Sequence, residues 1–298
     1  MLHNGKNRKF SAPASLLKDG GVYLIGAGPG DPSLITVKAA KALALADVVI
    51  TDRLVSREII DEYVSPSAIV VEAGKQGGST ASVPQYEINE LLVQYAKEYK
   101  TVVRLKGGDT AIFSNILDEL IALNNENIPY QIIPGITAAS GASAYTGVPL
   151  TARGFSTGVR ILTYYKNTVI ASSEWKQMAG FNDTLLFYMS GKSLYEIVSN
   201  LLQAGADSSI PFIVVEQATT PNQQVYQCTL HDFYQDGFER EFASPSLVII
   251  GKVAALYEQF AWLPNNNKQG NYFKPLERHP ELIELINDFQ KEANVSRA

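Results

Sequence analysis

An α/β fold in two parts, with a mostly parallel sheet in the first half of the chain and a mixed sheet in the second, follows from three observations. From Gly21 onward, short apolar runs alternate with stretches of helical periodicity. Each early run is continuously apolar rather than alternating, as a strand covered on both faces must be. In the second half, strand-like runs outnumber helical ones.

The elements follow in chain order. Val22–Ile25 is an apolar strand ended by Gly26-Ala27-Gly28-Pro29-Gly30-Asp31, and Ala-rich Leu34–Ala46 reads as the helix after it. Val48–Ile50 is a second buried strand running into Thr51-Asp52-Arg53, and Ala68–Val71 a third. Ile88, Leu91, Leu92 and Tyr95 space a helix over Glu87–Tyr99. Thr101–Leu105 is a strand leading into Lys106-Gly107-Gly108-Asp109, Glu119–Asn124 lies in a helix, and Tyr130–Ile133 is a strand before Pro134-Gly135. Beyond them, Val159–Thr163, Thr184–Met189, Phe212–Glu216, Gln224–Thr229 and Leu247–Ile250 are strands, while Leu194–Ala204 and Ala254–Phe260 are helical. Leu276–Ala293 reads as a short terminal helix.

Composition narrows the class of protein. The 298 residues are 46% hydrophobic and 18% charged, which suits a globular chain of about two domains. Twenty-five Lys and Arg against thirty Asp and Glu leave a net charge of -5, so no broad nucleic-acid footprint is expected. One cysteine, Cys228, and three scattered histidines give neither a disulfide nor zinc-ligand spacing, and no metal site is expected. The first twenty residues are polar and basic and do not read as a secretory signal. The uncharged stretch from Asn127 to Ala152 is too interrupted by proline and glycine for a membrane span, so a cytoplasmic chain is expected. The expected division is a flexible tail over 1–20, domains over 21–150 and 151–263, and a C-terminal extension over 264–298.

The chemistry gathers at the strand ends. In an open parallel sheet, ligands sit at the carboxyl ends of the strands, where the Gly26, Asp52, Gly74, Gly107 and Gly135 loops fall. The first of these departs from the dinucleotide fingerprint, because Asp31 occupies the third glycine site and Pro29 stiffens the turn. Each loop alone reads equally as a tight turn, but three glycine-bearing strand ends on one edge point to a shared small-molecule site.

At these residues the chain resembles the tetrapyrrole methyltransferase superfamily, and most closely its uroporphyrinogen-III C-methyltransferase branch. The resemblance runs from about Val22 to Leu263, through VYLIGAGPGDPSLITVKAAKAL, ADVVITDRLV, EAGK, VPQYEINELL, VVRLKGGDTAIF, IPYQIIPGITAASGASAYTGVPLT, LLFYMS and EQATTPNQQ in one order. It implies an S-adenosylmethionine-dependent enzyme of two α/β domains with the ligand cleft between them, usually a homodimer, acting on a small-molecule tetrapyrrole. Such an enzyme methylates two pyrrole carbons of uroporphyrinogen III, giving precorrin-2 for siroheme or cobalamin synthesis. The matching cofactor positions are Pro29, Gly107, Gly108, Asp109, Ile112, Thr137, Ala138 and Met189, with Ala218 where the family more often has glycine. Asp52 matches the proton acceptor and Lys75 the proton donor. Arg153, in LTAR, and Asp118 match substrate-facing positions.

These residue types suit the chemistry. Methyl transfer from a sulfonium needs donor and carbon held in line and no metal. The methylated ring must then lose a proton, which a carboxylate such as Asp52 accepts. An ordinary solvated Asp at a strand end is the competing reading, as strand core is for Met189. A substrate with eight carboxylates calls for cations, and Arg53, Lys75, Arg153 and Arg160 are the candidates.

Departures from the family fall on the substrate side. Thr110 replaces a proline, Asn115 an arginine, Asp118 a glutamate and Ala152 a histidine, and Gln76–Thr80 replaces a basic segment. Loss of the arginine removes a bidentate carboxylate donor. Three further readings therefore stay open: a sister precorrin methyltransferase, an RNA or diphthamide-type methyltransferase, and a non-catalytic S-adenosylmethionine-binding protein.

Overall fold

Strand β1 (Gly21–Gly26) is buried along its whole length, and its side chains divide by parity: Val22 and Leu24 enter one apolar cluster, Tyr23 and Ile25 another. Successive side chains of a strand point to opposite faces, so a continuous apolar run requires cover on both. The computed structural model describes residues 20–73, 84–164, 170–180, 182–236, 242–265, 268 and 270–273. Within them, β1 joins β2 (Val48–Thr51), β3 (Ile69–Glu72), β4 (Thr101–Lys106) and β5 (Tyr130–Ile133) in a sheet of order β3-β2-β4-β1-β5. Every pairing in it is parallel.

Helices cover both faces of this sheet. On one lie α1 (Val37–Leu43) and α2 (Arg57–Tyr63), through Ala39, Ala42, Leu43, Ile59 and Ile60. On the other lie α3 (Gln85–Glu98) and α4 (Ile116–Asn125), through Ile88, Leu91, Leu92, Tyr95 and Leu123. The first helix is shorter than its sequence suggests because Pro32–Leu34 forms a separate 3-10 turn, and Thr36 then caps α1 by accepting from Ala39 N–H at 3.3 Å. Gly74 and Lys75 of the expected EAGK turn, the 276–293 helix and the tail over 1–19 lie outside the described residues.

The second sheet holds β6 (Val159–Thr163), β7 (Thr184–Tyr188), β8 (Pro211–Glu216), β9 (Gln224–Thr229) and β10 (Ser246–Ile250) in the order β6-β7-β10-β8-β9. Its β6–β7 pair is parallel and the other pairs are antiparallel, which makes the sheet mixed. Its helices are α5 (Ala138–Thr146), α6 (Ser172–Gly180), α7 (Leu194–Gln203), α8 (Leu230–Gln235) and α9 (Tyr257–Phe260). The expected helix over 254–260 opens as a 3-10 turn and becomes α-helical only at Tyr257.

The two compact units divide between Thr137 and Ala138 rather than at 150/151. The shift has a packing cause: Ala139, Ala142 and Val148 pack against Leu186, Ile213, Val215, Leu247 and Ile249 of the second sheet. Helix α5, AASGASAYT, has no apolar periodicity to announce it, and it is its small side chains that are buried.

At the carboxyl edge of the first sheet, a Cβ on Gly135 would stand 2.4 Å from the Gly108 carbonyl oxygen and 2.6 Å from Gly26 backbone. We expect Gly135→Ala to cost about 2–3 kcal/mol by overpacking, whereas Gly180→Ala, at the open end of α6, should gain up to ~1 kcal/mol. Urea unfolding midpoints of the two variants check both.

Candidate functional site

Backbone contacts build the glycine-bearing edge. Ala27 N–H donates to the Lys106 carbonyl at 2.8 Å, and Gly28 and Gly108 exchange hydrogen bonds at 3.0 and 2.8 Å. Both glycines hold left-handed φ, 86° and 71°, which residues with a Cβ adopt at a cost. The Asp109 carboxylate completes the join, accepting from Ala111 N–H at 2.8 Å and from Gly135 N–H at 3.0 Å. Asp109 is thus committed to holding two loops together, and the edge it organises is neutral backbone. Pro29 is buried in the same turn, and Asp31 accepts from Ser33 N–H at 2.8 Å to cap the 3-10 turn. That cap is the physical reason an aspartate stands where a dinucleotide-binding loop would have glycine.

Next to this edge lies a charge cluster that reading the sequence did not single out. Val102, Arg104 and Lys106 share one face of β4 by parity, the face covered by α3 and α4. Arg104 is 2% exposed and Lys106 3%, so each cation needs a partner. Glu119 of α4, wholly buried, supplies it: Arg104 Nε donates to its Oε1 at 2.8 Å, and Lys106 Nζ donates to both its oxygens at 2.9 Å. Arg104 Nη2 in turn donates to Oδ1 of Asp52, which is 27% exposed at the end of β2. Burial lowers the Arg104 pKa, but the Asp52 and Glu119 carboxylates outweigh it and the net shift is upward. For Lys106, burial dominates, helped by the Arg104 charge, and its pKa falls below the ordinary value. The sequence did hold the signal, two cations in the otherwise apolar TVVRLK, with Glu119 supplied by the next helix.

The substrate-side candidates sit at the surface. Asn115 precedes α4 with φ 54° and ψ 36°, a left-handed conformation that asparagine tolerates better than arginine does. Asp118 is exposed in the first turn of α4. Arg53 is half-buried beside Asp52; its Nε has no hydrogen-bond partner among the described residues, and burial lowers its pKa. In the second unit, Arg153 is exposed in a turn closed by reciprocal Ala152–Ser156 hydrogen bonds at 3.1 and 3.0 Å. Arg160, by contrast, pairs with Asp183 at 3.3 Å.

Strain marks the corresponding strand ends of the second unit. Met189 follows β7 with φ 56° and is 57% exposed, so it is no part of the strand core. Ala218 is buried after β8 between Gln217 and Thr219, whose φ values are 46° and 67°. Non-glycine residues in this region cost on the order of 1 kcal/mol or more each, and they gather where function requires the conformation. Ala139 N–H donates to the Tyr188 hydroxyl at 2.9 Å, fixing the start of α5 just after Ala138. Thr137 ends the first stretch of the first unit, to which Phe273 also belongs, Ile112 is half-buried in the loop after Asp109, and Lys75 lies outside the described residues.

A doubly sheeted α/β chain with ligand-type loops at the strand ends defines a class, and comparison places it. Residues 21–234 match the family of Tetrapyrrole (Corrin/Porphyrin) Methylases, and the chain belongs to that family. Siroheme synthase 2 of Aeromonas hydrophila is 43% identical over 251 residues, 84% of this chain and 53% of that protein. A siroheme synthase of Pseudomonas putida is 43% identical over 255 residues, 86% of this chain and 54% of its own length. The chain therefore spans about half the length of these relatives. Among solved structures, uroporphyrin-III C-methyl transferase from Thermus thermophilus complexed with S-adenyl homocysteine is 32% identical with a TM-score of 0.66, covering 80% of this chain and all of that one. The cobalt precorrin-4 methyltransferase CbiF is 28% identical with a TM-score of 0.67, covering 78% and 95%.

Removing one partner of a buried pair strands the other charge. Glu119→Ala, which leaves Arg104 and Lys106 sharing Asp52 alone, should lower folding stability by about 3–5 kcal/mol. Denaturant titration followed by circular dichroism measures it.

Proposed function

We propose that this chain is an S-adenosylmethionine-dependent C-methyltransferase that methylates two pyrrole carbons of uroporphyrinogen III to give precorrin-2, on the route to siroheme or cobalamin. The observation that carries the reading is family membership together with the intact glycine edge of β1, β4 and β5. The donor set of that edge fits the cofactor. With the Asp109 carboxylate taken up by two amides and Gly28 and Gly108 paired with each other, the edge is side-chain-free backbone without formal charge, suited to the close approach of an adenosyl group. Pro29, Gly107, Gly108, Asp109, Ile112, Thr137, Ala138, Met189 and Ala218 are the residues that would hold it.

The cofactor supplies a methyl group on a sulfonium, an electrophile that needs no metal. The protein's part is to hold the acceptor carbon in line and then to manage proton transfer to and from the ring. In this reading Asp52 takes the proton from the methylated ring, and Lys75 donates one. Arg53 and Arg153 meet substrate carboxylates, Arg153 offering an exposed guanidinium. Asp118 faces the substrate from the start of α4. A homodimer and a cytoplasmic location belong to the same reading; no described helix is long and apolar enough to cross a membrane.

The rebuilt segment over 110–118, with Asn115 in a left-handed conformation, supports a second reading: a sister precorrin as substrate. Anaerobic incubation with S-adenosylmethionine and uroporphyrinogen III, read by mass spectrometry, should show product carrying two added methyl groups. Unmodified uroporphyrinogen III alongside demonstrated cofactor binding would transfer the proposal to the sister substrate.

Met189 offers a separate check on the cofactor site. Because its side chain is exposed and its backbone left-handed, Met189→Gly should change stability by less than about 1 kcal/mol. It should nonetheless weaken S-adenosylhomocysteine binding roughly tenfold, the equivalent of about 1.4 kcal/mol, in isothermal calorimetry. An unchanged affinity would remove Met189 from the site.

A further inference from the structure

A carboxylate that takes a proton from carbon must present one particular oxygen in one particular direction, and a strand-end aspartate has two rotatable bonds with which to miss. Asp52 has Oδ1 fixed by Arg104, while its Oδ2 has no hydrogen bond among the described residues. Arg104 is itself held along its length. Its Nε is on Glu119 at 2.8 Å, and its Nη1 donates to the carbonyls of Ile50 and Leu105 at 3.3 Å each. Glu119 cannot yield, because Lys106 Nζ holds both its oxygens at 2.9 Å. Lys106 also supplies the carbonyl that accepts from Ala27 N–H, at the root of the glycine edge.

The chain of contacts therefore runs from the glycine edge through Lys106, Glu119 and Arg104 to one oxygen of Asp52. Energetically it is a poor way to stabilise a fold, since apolar side chains of similar volume would do at least as well as a buried ion cluster. Its geometric effect is what apolar side chains would lack: a planar guanidinium grips two carboxylates at once and fixes the angle between them, which a lysine cannot do.

We propose that Arg104 is a positioning residue for proton transfer, anchored by Glu119 and Lys106, which clamps Oδ1 of Asp52 and thereby presents Oδ2 to the substrate. The inference rests on the methyltransferase reading above. In the step it serves, the methyl carbon has already left sulfur for the ring carbon, the C–S electron pair staying on sulfur. A C–H bond of the resulting cationic macrocycle then breaks, its electron pair returns to the ring to restore a neutral conjugated system, and the proton forms an O–H bond at Oδ2. Asp52 ends as a neutral carboxylic acid, and Arg104 remains charged throughout.

The test is a double-mutant cycle in the full chain with Arg104→Lys and Asp52→Asn, measuring kcat and KM for uroporphyrinogen III and the affinity for S-adenosylhomocysteine. Arg104→Lys keeps the charge and loses the fork. It should reduce kcat about 10- to 100-fold, the scale expected for a misplaced catalytic group, with KM and S-adenosylhomocysteine affinity within twofold of the parent. In the Asp52→Asn background the same substitution should change kcat by less than twofold, because Arg104 acts through Asp52. Losses that multiply, a loss confined to KM, or an unchanged kcat would each overturn the positioning role. If Arg104→Lys does not fold, Arg104→Met, which removes the fork and leaves Lys106 and Glu119 as a closed pair, takes its place in the same cycle with the same expectations. Failure of the parent protein to methylate uroporphyrinogen III would instead defeat the uroporphyrinogen III reading, and with it the inference as stated for that substrate, an outcome distinct from multiplicative losses in an active enzyme.

Discussion

Arg104 and Lys106 sit on a strand whose other buried side chains are Val102, Val103 and Leu105, and a cation in such surroundings must be matched or lose its charge. That requirement reaches well beyond β4. It draws Glu119 inward from a helix whose Leu117 and Ile121 remain exposed, and so sets which face α4 turns to the sheet. It also ties the end of β2 to β4 through Asp52. Two positive and two negative side chains close the cluster with no formal charge left over, which is the condition for its tolerance inside an apolar layer.

The glycine edge follows a second constraint, the approach of three backbones. A Cβ on Gly26 or Gly135 would run into the other's backbone and into Gly108, and one on Gly107 would meet Leu54 at 2.8 Å. The glycines are required by the chain itself before any ligand is considered. What they leave behind is an edge with little but backbone on it, and that is the surface a neutral adenosyl group would need. Structure and binding here ask for the same residues, so glycine at these positions cannot by itself distinguish them. Met189 differs from these glycines in that its side chain is exposed while its backbone is left-handed.

Much of the first sheet was legible because parallel strands covered on both faces are continuous apolar runs, and Val22–Ile25 and Val48–Ile50 stood out as such. Helix α3 was legible from its Ile88, Leu91, Leu92 and Tyr95 spacing. Helices α2, α6 and α8 were not, being short and anchored by few buried residues, and α5 is built from small side chains without periodicity. Of the site, the Gly loops and Asp52 were visible as strand-end motifs. Glu119 was not, since its partners lie 13 and 15 residues away and only the packing of α4 on β4 brings them together.

Residue order is enough for the two-part α/β class, the carboxyl-edge loops and the family whose motifs they carry, because strand burial and glycine placement are local patterns. Tertiary structure alone decided three things. It placed α5 with the second unit, because small side chains reveal their partners only when packed. It tied the Asp109 carboxylate to the Gly135 amide, because that donor comes from a separate loop. And it joined Asp52 to Arg104, Glu119 and Lys106, because charge compensation in a buried layer depends on distance in space, for which spacing along the chain is no guide.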